Sequence, residues 1–174
     1  QRAMVVAEGD RVKLGQPLFS DKKNPEVIYT SPGCGVVSAI NRGYQRRLLS
    51  LVIELEGDEQ VELKSYTSVE LPTLSRDQIV ADLVESGLWT ALRVRPFSKV
   101  PAPSEQPVAL FINAMDTNPL AVDPAVVIAE RTEDFARGVN ILSRLPTGET
   151  FLCVDAAVKA LVAGCQLSSS VRLE

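Results

Sequence analysis

The chain has 174 residues and contains no histidine. Without imidazole there is no Ser-His-Asp or Cys-His catalysis, no His-based metal site and no usual neutral-pH proton shuttle. Cysteine is scarce as well: Cys34, Cys153 and Cys165 lie far apart, with no CxxC pair. That spacing argues against a structural zinc site, an iron–sulfur cluster held within these residues, or a disulfide scaffold, and it fits a reducing, cytoplasmic setting. Long apolar runs are missing too. Runs such as residues 108–112 and 51–53 fall far below the roughly 18 residues of a membrane-spanning helix. No basic start leads into an apolar stretch, so no signal peptide is expected. The opening Gln1-Arg-Ala-Met4, with apolar content already under way, reads as a piece cut from a longer protein. No GxGxxG or GxxxxGK[ST] run occurs, so there is no nucleotide-binding fingerprint.

What is present suffices for a core. Apolar residues make up 45% of the chain and the formal net charge is −4, compatible with one ordinary domain or two small ones. Basic residues cluster only locally, at Arg46-Arg47 and at Arg93, Arg95 and Lys99. Without a basic stripe interleaved with aromatics, nucleic acid is not an expected partner.

Residues 4 to about 64 are strand-like. Short apolar runs around Val12, Leu18, Val27-Ile28, Val36-Val37 and Leu51-Val-Ile53 alternate with turns such as Glu8-Gly-Asp10, Ser31-Pro-Gly33 and Asn41-Arg-Gly43, as in a small barrel or sandwich. The character then changes. Ser75-Arg-Asp-Gln78 is a capping box; Ile79, Val80, Leu83 and Val84 follow at helical spacing, with Gly87 at the C-cap. A Pro-rich stretch, 88–107, precedes a strand over 108–113. Asp123-Pro124 starts a helix, and Thr132 is expected to cap another through about Leu145, burying Phe135, Val139 and Leu142. A strand over 150–154 follows, then Asp155 caps a last helix. Strand, helices, strand, helix implies a right-handed crossover and a parallel pair. The reading is α/β in class (α+β overall), with a boundary near 66–74: a β-rich portion over 1–66 and an α/β module over 70–174.

Two segments carry groups suited to ligand chemistry. Trp89, Arg93, Arg95, Phe97 and Lys99 fit a pocket for an aromatic or quinoid ligand, with rings stacking and a cation holding an oxygen. They fit equally a loop over buried Trp89 and Leu92 with cations at the surface. Asn113, Asp116 and Asn118, where a strand meets a helix start, suit a ligand site or simply the backbone of a turn.

Glu8-Gly-Asp-Arg-Val-Lys-Leu-Gly-Gln-Pro-Leu18 and Thr30-Ser-Pro-Gly-Cys-Gly-Val-Val37 look like a lipoyl/biotinyl-type barrel. Asp21-Lys-Lys-Asn24 falls near the place where that family presents its modified lysine. A carrier with Lys22 or Lys23 modified is therefore an alternative, although the following Asn24-Pro25 favours plain solvated turn lysines. A more specific resemblance rests on longer words: Asp21-Lys-Lys-Asn-Pro25, Ala39-Ile-Asn-Arg-Gly43, Val52-Ile-Glu-Leu-Glu-Gly-Asp-Glu59, Gly87-Leu-Trp-Thr-Ala-Leu92, Arg95-Pro-Phe-Ser-Lys-Val-Pro-Ala-Pro103 and Ala114-Met-Asp-Thr-Asn-Pro-Leu120. From about residue 3 to 154 the chain resembles the family of A subunits of bacterial sodium-translocating NADH:quinone oxidoreductases (the Nqr complex), whose members are much longer.

The resemblance implies a peripheral subunit on the cytoplasmic side of the bacterial inner membrane. Its partners would be the other subunits of a sodium-pumping respiratory complex, with ubiquinone as the substrate of that complex. It implies a contribution to ubiquinone binding and to docking of partner subunits. It implies no cofactor within these residues, no catalytic residue among them and no activity of the fragment alone. A distant similarity reaches the FMN- and NADH-binding subunit of respiratory complex I, implying a Rossmann-like α/β module. There a Gly-rich loop follows the corresponding Ser-Gly-Leu. Here residues 89–97 contain no glycine, which argues against bound FMN and leaves a flavin- or NADH-binding electron-transfer domain as an alternative reading.

Overall fold

A computed structural model describes residues 2–174. It is a mixed α/β structure that divides into two compact units, one made of residues 2–66 and 80–105 and the other of residues 67–79 and 106–174.

The first unit is built on six strands: β1 (Arg2–Met4), β2 (Arg11–Val12), β3 (Pro17–Asp21), β4 (Ile28–Thr30), β5 (Gly35–Arg42) and β6 (Leu48–Leu55). They form two three-stranded antiparallel sheets in the orders β1-β3-β4 and β2-β5-β6. Alternation along β2, β3 and β5 sends Val12, Leu18 and Val37 inward, where they join Val6 in a shared core flanked by Met4, Phe19, Ile40, Leu51 and Ile53. Each fully buried aliphatic side chain contributes about 1.5–3 kcal/mol relative to exposure. Gly35 is required by proximity: a Cβ there would lie 1.9 Å from the Glu54 carbonyl oxygen of β6. The β3–β4 hairpin carries Asp21-Lys22-Lys23-Asn24 at its tip, where an Asp21 carboxylate oxygen accepts from the Lys23 N–H at 3.0 Å.

The helix α1 (Arg76–Glu85) starts as the sequence predicts. The Ser75 N–H donates to Gln78 Oε1 at 2.8 Å and the Gln78 N–H donates back to Ser75 Oγ at 3.3 Å, a reciprocal capping box. Gly87 ends it at φ +77°, the left-handed conformation that glycine adopts without strain.

The second unit holds β7 (Leu110–Asn113), α2 (Pro124–Glu130), α3 (Thr132–Leu142), β8 (Thr150–Cys153), α4 (Ala156–Val162) and β9 (Val171–Leu173). The strands pair in parallel in the order β7-β8-β9. Asp123 caps α2 through the Ala125 N–H at 2.9 Å, and Asp155 caps α4 through the Val158 N–H at 2.8 Å. Ile128, Val139, Val158 and Val162 from the three helices pack with Leu152 and Ile112 of the sheet. Two arginines fasten the 67–79 segment: Arg144 donates to the Leu71 and Leu74 carbonyls at 3.0 and 3.1 Å, and Arg76 to the Leu145 carbonyl at 3.1 Å.

Three expectations need correction. The cap of α3 is Arg131, at φ −142°, and not Thr132. The Thr132 hydroxyl donates instead to the Ile128 carbonyl, the last turn of α2. The helix stops at Leu142, with Ser143 closing it, rather than at Leu145. The first strand of the sheet begins at Leu110, because the Val108 carbonyl is engaged by the Gly148 N–H at 3.0 Å. Strand β9 was not foreseen.

Candidate functional site

The segment following Gly87 is organised around an indole. A 3-10 turn over Leu88–Ala91 places Trp89 inside the first unit, 3% exposed. Its Nε1–H donates to the Pro101 carbonyl at 2.9 Å, closing the loop over residues 90–100 by tying its two ends together. Gly87 permits this docking, because a Cβ there would sit 2.6 Å from Thr30 Oγ1. Within the loop the Val94 N–H donates to the Lys99 carbonyl at 2.8 Å, and the Arg95–Pro96 peptide is cis.

The tip of this small hairpin is all surface. Arg93, Arg95, Phe97 and Lys99 are exposed. Phe97 is 76% exposed, and the Lys99 ammonium stands 5.4 Å from its ring centroid, a cation–π arrangement. The Arg93 guanidinium closes the preceding turn by donating to the carbonyls of Thr90 and Leu92. The structure thus brings Arg93, Arg95, Phe97 and Lys99 onto one exposed loop, with Trp89 as its internal brace.

Asn113, Asp116 and Asn118 belong to the other unit. The Asn113 Oδ1 accepts from the Met115 N–H at 3.2 Å, and Asp116 Oδ1 accepts from both the Asn118 N–H at 2.9 Å and its side-chain amide at 2.7 Å. These are Asx turns that satisfy the backbone between β7 and α2.

A feature missed from the sequence is an apolar groove of about 520 Å³ in the first unit, lined mainly by Leu18, Phe19, Leu48, Leu51, Ile53 and Leu55. None of the sequence-derived candidates lines it. Its signal was legible: the run Leu48-Leu-Ser-Leu-Val-Ile53 is apolar at adjacent positions on either side of Ser50, so β6 presents hydrophobic side chains on both faces.

The exposed charges pair locally. Arg11 bridges Glu56 at 3.1 Å and Glu59 at 3.9 Å, and Lys13 bridges Glu59 at 3.8 Å. The hydrogen bond to Glu56 holds the Arg11 guanidinium above its ordinary pKa. The Glu70 carboxyl is held below the usual carboxylate range by the Thr67 N–H and then by its hydroxyl. Among the described residues no group of three His, Cys, Asp or Glu side chains could hold a metal ion, and no helix is long and apolar enough to cross a membrane.

Comparison with known proteins gives a consistent picture. A family model described as the NqrA second alpha/beta domain matches residues 74–170, and one described as the NqrA N-terminal barrel-sandwich hybrid domain matches residues 1–56. A Pseudomonas aeruginosa (strain UCBPP-PA14) protein is 59% identical over 150 residues, covering 86% of this chain and 33% of its own length. A Yersinia pestis protein is 55% identical over 151 residues, covering 87% and 34%. A Haemophilus influenzae (strain PittEE) protein is 55% identical over 152 residues, covering 87% and 34%. Each is named as the A subunit of a Na(+)-translocating NADH-quinone reductase. The chain therefore spans about a third of the length of the curated relatives it matches.

Proposed function

The chain belongs to the NqrA family, and on that premise we propose that it works as part of the A subunit of a sodium-translocating NADH:quinone reductase. In this reading it lies at the cytoplasmic side of the bacterial inner membrane as a peripheral element, contributes to ubiquinone binding and docks other subunits of the complex. The observation that carries the reading is the 59% identity over 150 residues to a protein bearing that name. No covalent chemistry falls to the residues of this chain; its contribution is binding and positioning.

The loop at Arg93, Arg95, Phe97 and Lys99 is the proposed contact with the quinone. Its exposed aromatic ring and cations suit a planar head group whose carbonyl oxygens gain negative charge on reduction. Trp89 holds that loop in place, and Asn113, Asp116 and Asn118 are a separate candidate set in the second unit. The modules proposed are a lipoyl/biotinyl-like portion over 1–66 and a Rossmann-like portion over 70–174, although residues 80–105 fold with the first unit. The parallel β7-β8-β9 sheet with helical crossovers supports the latter. No flavin is proposed here, since residues 89–97 offer no glycine and a bulky side chain stands where a backbone would have to approach a phosphate.

The test uses the assembled complex. The double variant Phe97→Ala with Lys99→Ala is expected to raise the KM for a short-chain ubiquinone about tenfold, equivalent to about 1.4 kcal/mol, with the KM for NADH unchanged. Unaltered quinone kinetics in a normally assembled complex would remove the loop from the quinone site.

A further inference from the structure

The apolar groove of the first unit is charged at one end. It follows β6 from Leu55 to Leu49 and takes Leu18, Phe19, Leu51 and Ile53 into its wall. Ser50, its one polar lining side chain among the described residues, already accepts the Asn41 side-chain amide at 3.0 Å. The wall therefore suits a hydrocarbon chain, and its volume of about 520 Å³ is that of a small-molecule site. At one end Leu55 packs on Gly33, where a Cβ would lie 2.5 Å from the leucine Cδ2. At the other end Leu49 lies over Gly43, where a Cβ would stand 3.1 Å from its Cδ1. Gly43 belongs to the turn between β5 and β6, so the groove opens onto the tip of that hairpin.

The tip is basic. Arg42, Arg46 and Arg47 are exposed, Tyr44 is 87% exposed, and residues 27–53 contain no Asp or Glu. Elsewhere cations find carboxylates: Arg11, Lys13, Arg131, Arg137 and Arg172 all enter ion pairs. Among the described residues the three tip arginines enter none. The Glu8 carboxylate, which reaches β5, is engaged there by the Ile40 N–H at 2.7 Å. The turn itself is fixed, with the Gly43 N–H donating to the Arg47 carbonyl at 2.8 Å and Arg42 Nη1–H to the Arg46 carbonyl at 3.3 Å. On a chain of net charge −4, an acid-free tip with three guanidinium groups is a local concentration of positive charge.

We infer that this groove and tip bind an anionic phospholipid, its acyl chain along β6 and its phosphate among Arg42, Arg46 and Arg47. Only a ligand that is apolar along its length and anionic at its end matches both halves of the site. Phosphate fits better than a carboxylate, because its oxygens accept from several guanidinium forks at once. Tyr44 at the same tip suits the headgroup level, where an amphipathic ring meets the polar boundary. The site does not depend on the quinone reading, since none of Arg93, Arg95, Phe97 and Lys99 lines the groove.

Isothermal titration calorimetry on the full-length protein, with soluble probes kept below their micelle concentrations, tests this. Dodecyl phosphate is expected to bind saturably, dodecyl maltoside at least about tenfold more weakly, and inorganic phosphate not measurably. Combining Arg42→Gln, Arg46→Gln and Arg47→Gln is expected to weaken dodecyl phosphate at least about tenfold and to leave dodecyl maltoside unmoved. Leu49→Asp, at a position already 66% exposed, sets a carboxylate at the groove mouth and should weaken both chain-bearing probes. Unchanged affinity for dodecyl phosphate in the arginine variant would overturn the inference. Dodecanoate binding as tightly as dodecyl phosphate would make the ligand a fatty acid and overturn the phospholipid. Displacement of dodecyl phosphate by a short-chain ubiquinone would make the groove a quinone site, which also refutes it. No binding of dodecyl phosphate to the full-length protein would mean that protein fills the groove, and would end the proposal.

Discussion

Replacing Gly87 by alanine tests how the loop bearing the candidate site is anchored. Two costs are separable. The residue sits at φ +77°, where a side chain costs about 1–2 kcal/mol. The new Cβ would also lie 2.6 Å from Thr30 Oγ1 and 2.9 Å from its Cγ2, an overpacking term of about 1–3 kcal/mol. The sum centres on about 3.5 kcal/mol. Thr30→Ala alone removes a 3.4 Å hydrogen bond to the Ser86 carbonyl, at the limit of a useful bond, and costs less than about 1 kcal/mol. In the double variant both clashing atoms are gone while the backbone cost and the small cost of Thr30→Ala remain, so the total falls to about 1–3 kcal/mol, against about 2–6 kcal/mol for the sum of the single changes. The two substitutions are thus non-additive, with the second partly rescuing the first. Urea unfolding followed by Trp89 emission reads this directly, because the indole lies two residues from Gly87 and is 3% exposed. A stability change of 1 kcal/mol moves the midpoint by about 0.3–1 M. If the double variant equalled the sum of the single ones, Thr30 would not be the atom group that Gly87 makes room for, and the account of this contact would fail.

Gly138 lies inside α3 with nothing within 4 Å of the position a Cβ would take. Gly138→Ala should raise stability by about 0.5–1 kcal/mol, seen as a later urea midpoint by far-UV circular dichroism; an earlier midpoint would contradict the open space there. The Glu70 carboxyl, held low by Thr67, is a depressed-pKa group. Its contribution to stability is present above the ordinary carboxylate pKa and is lost as pH falls through its lower folded value. Carbon-detected NMR titration should find Glu70 titrating below the ordinary carboxylate range, and a Thr67→Ala variant, which removes the hydroxyl but keeps the N–H, should bring it only part of the way back; a Glu70 curve unmoved by that variant would refute the hydroxyl's share.

Legibility in the sequence tracked the range of the forces involved. The caps at Ser75, Asp123 and Asp155 and the stop at Gly87 are local chemistry, and each was readable from a few neighbouring residues. The parallel pairing of β7 with β8 followed from the order of elements. Strand β9 was hidden because only Val171 of its three residues packs against the core and its pairing depends on β8, some twenty residues away. Thr132 misled because a capping residue and the first residue of a helix can be the same type; the break at Arg131 that separates α2 from α3 is a backbone feature with no local signature. Whether Trp89 faces a ligand or the interior was undecidable from composition, since a buried indole and a stacking one need the same neighbours. What decided its placement was Pro101, twelve residues on, accepting its N–H. The groove beside β6 went unread for the opposite reason: its signal lay in plain view, but as a strand apolar on both faces rather than as a motif.

The strand order carries a consequence of its own. In open α/β sheets the crevice that receives a ligand forms at the carboxyl ends where the order reverses, because adjacent crossovers there leave in opposite directions. The order β7-β8-β9 runs one way without reversal. Among the described residues the turn at Asn113, Asp116 and Asn118 therefore stands at the end of a strand but beside no such gap. A reversal would arise only through a further parallel strand on the outer edge of β7, reached by a crossover on the sheet face opposite the one on which α2, α3 and α4 pack. A nucleotide-type pocket in this module is thus a property of strand pairing, and no exchange of side chains in the turn can create one.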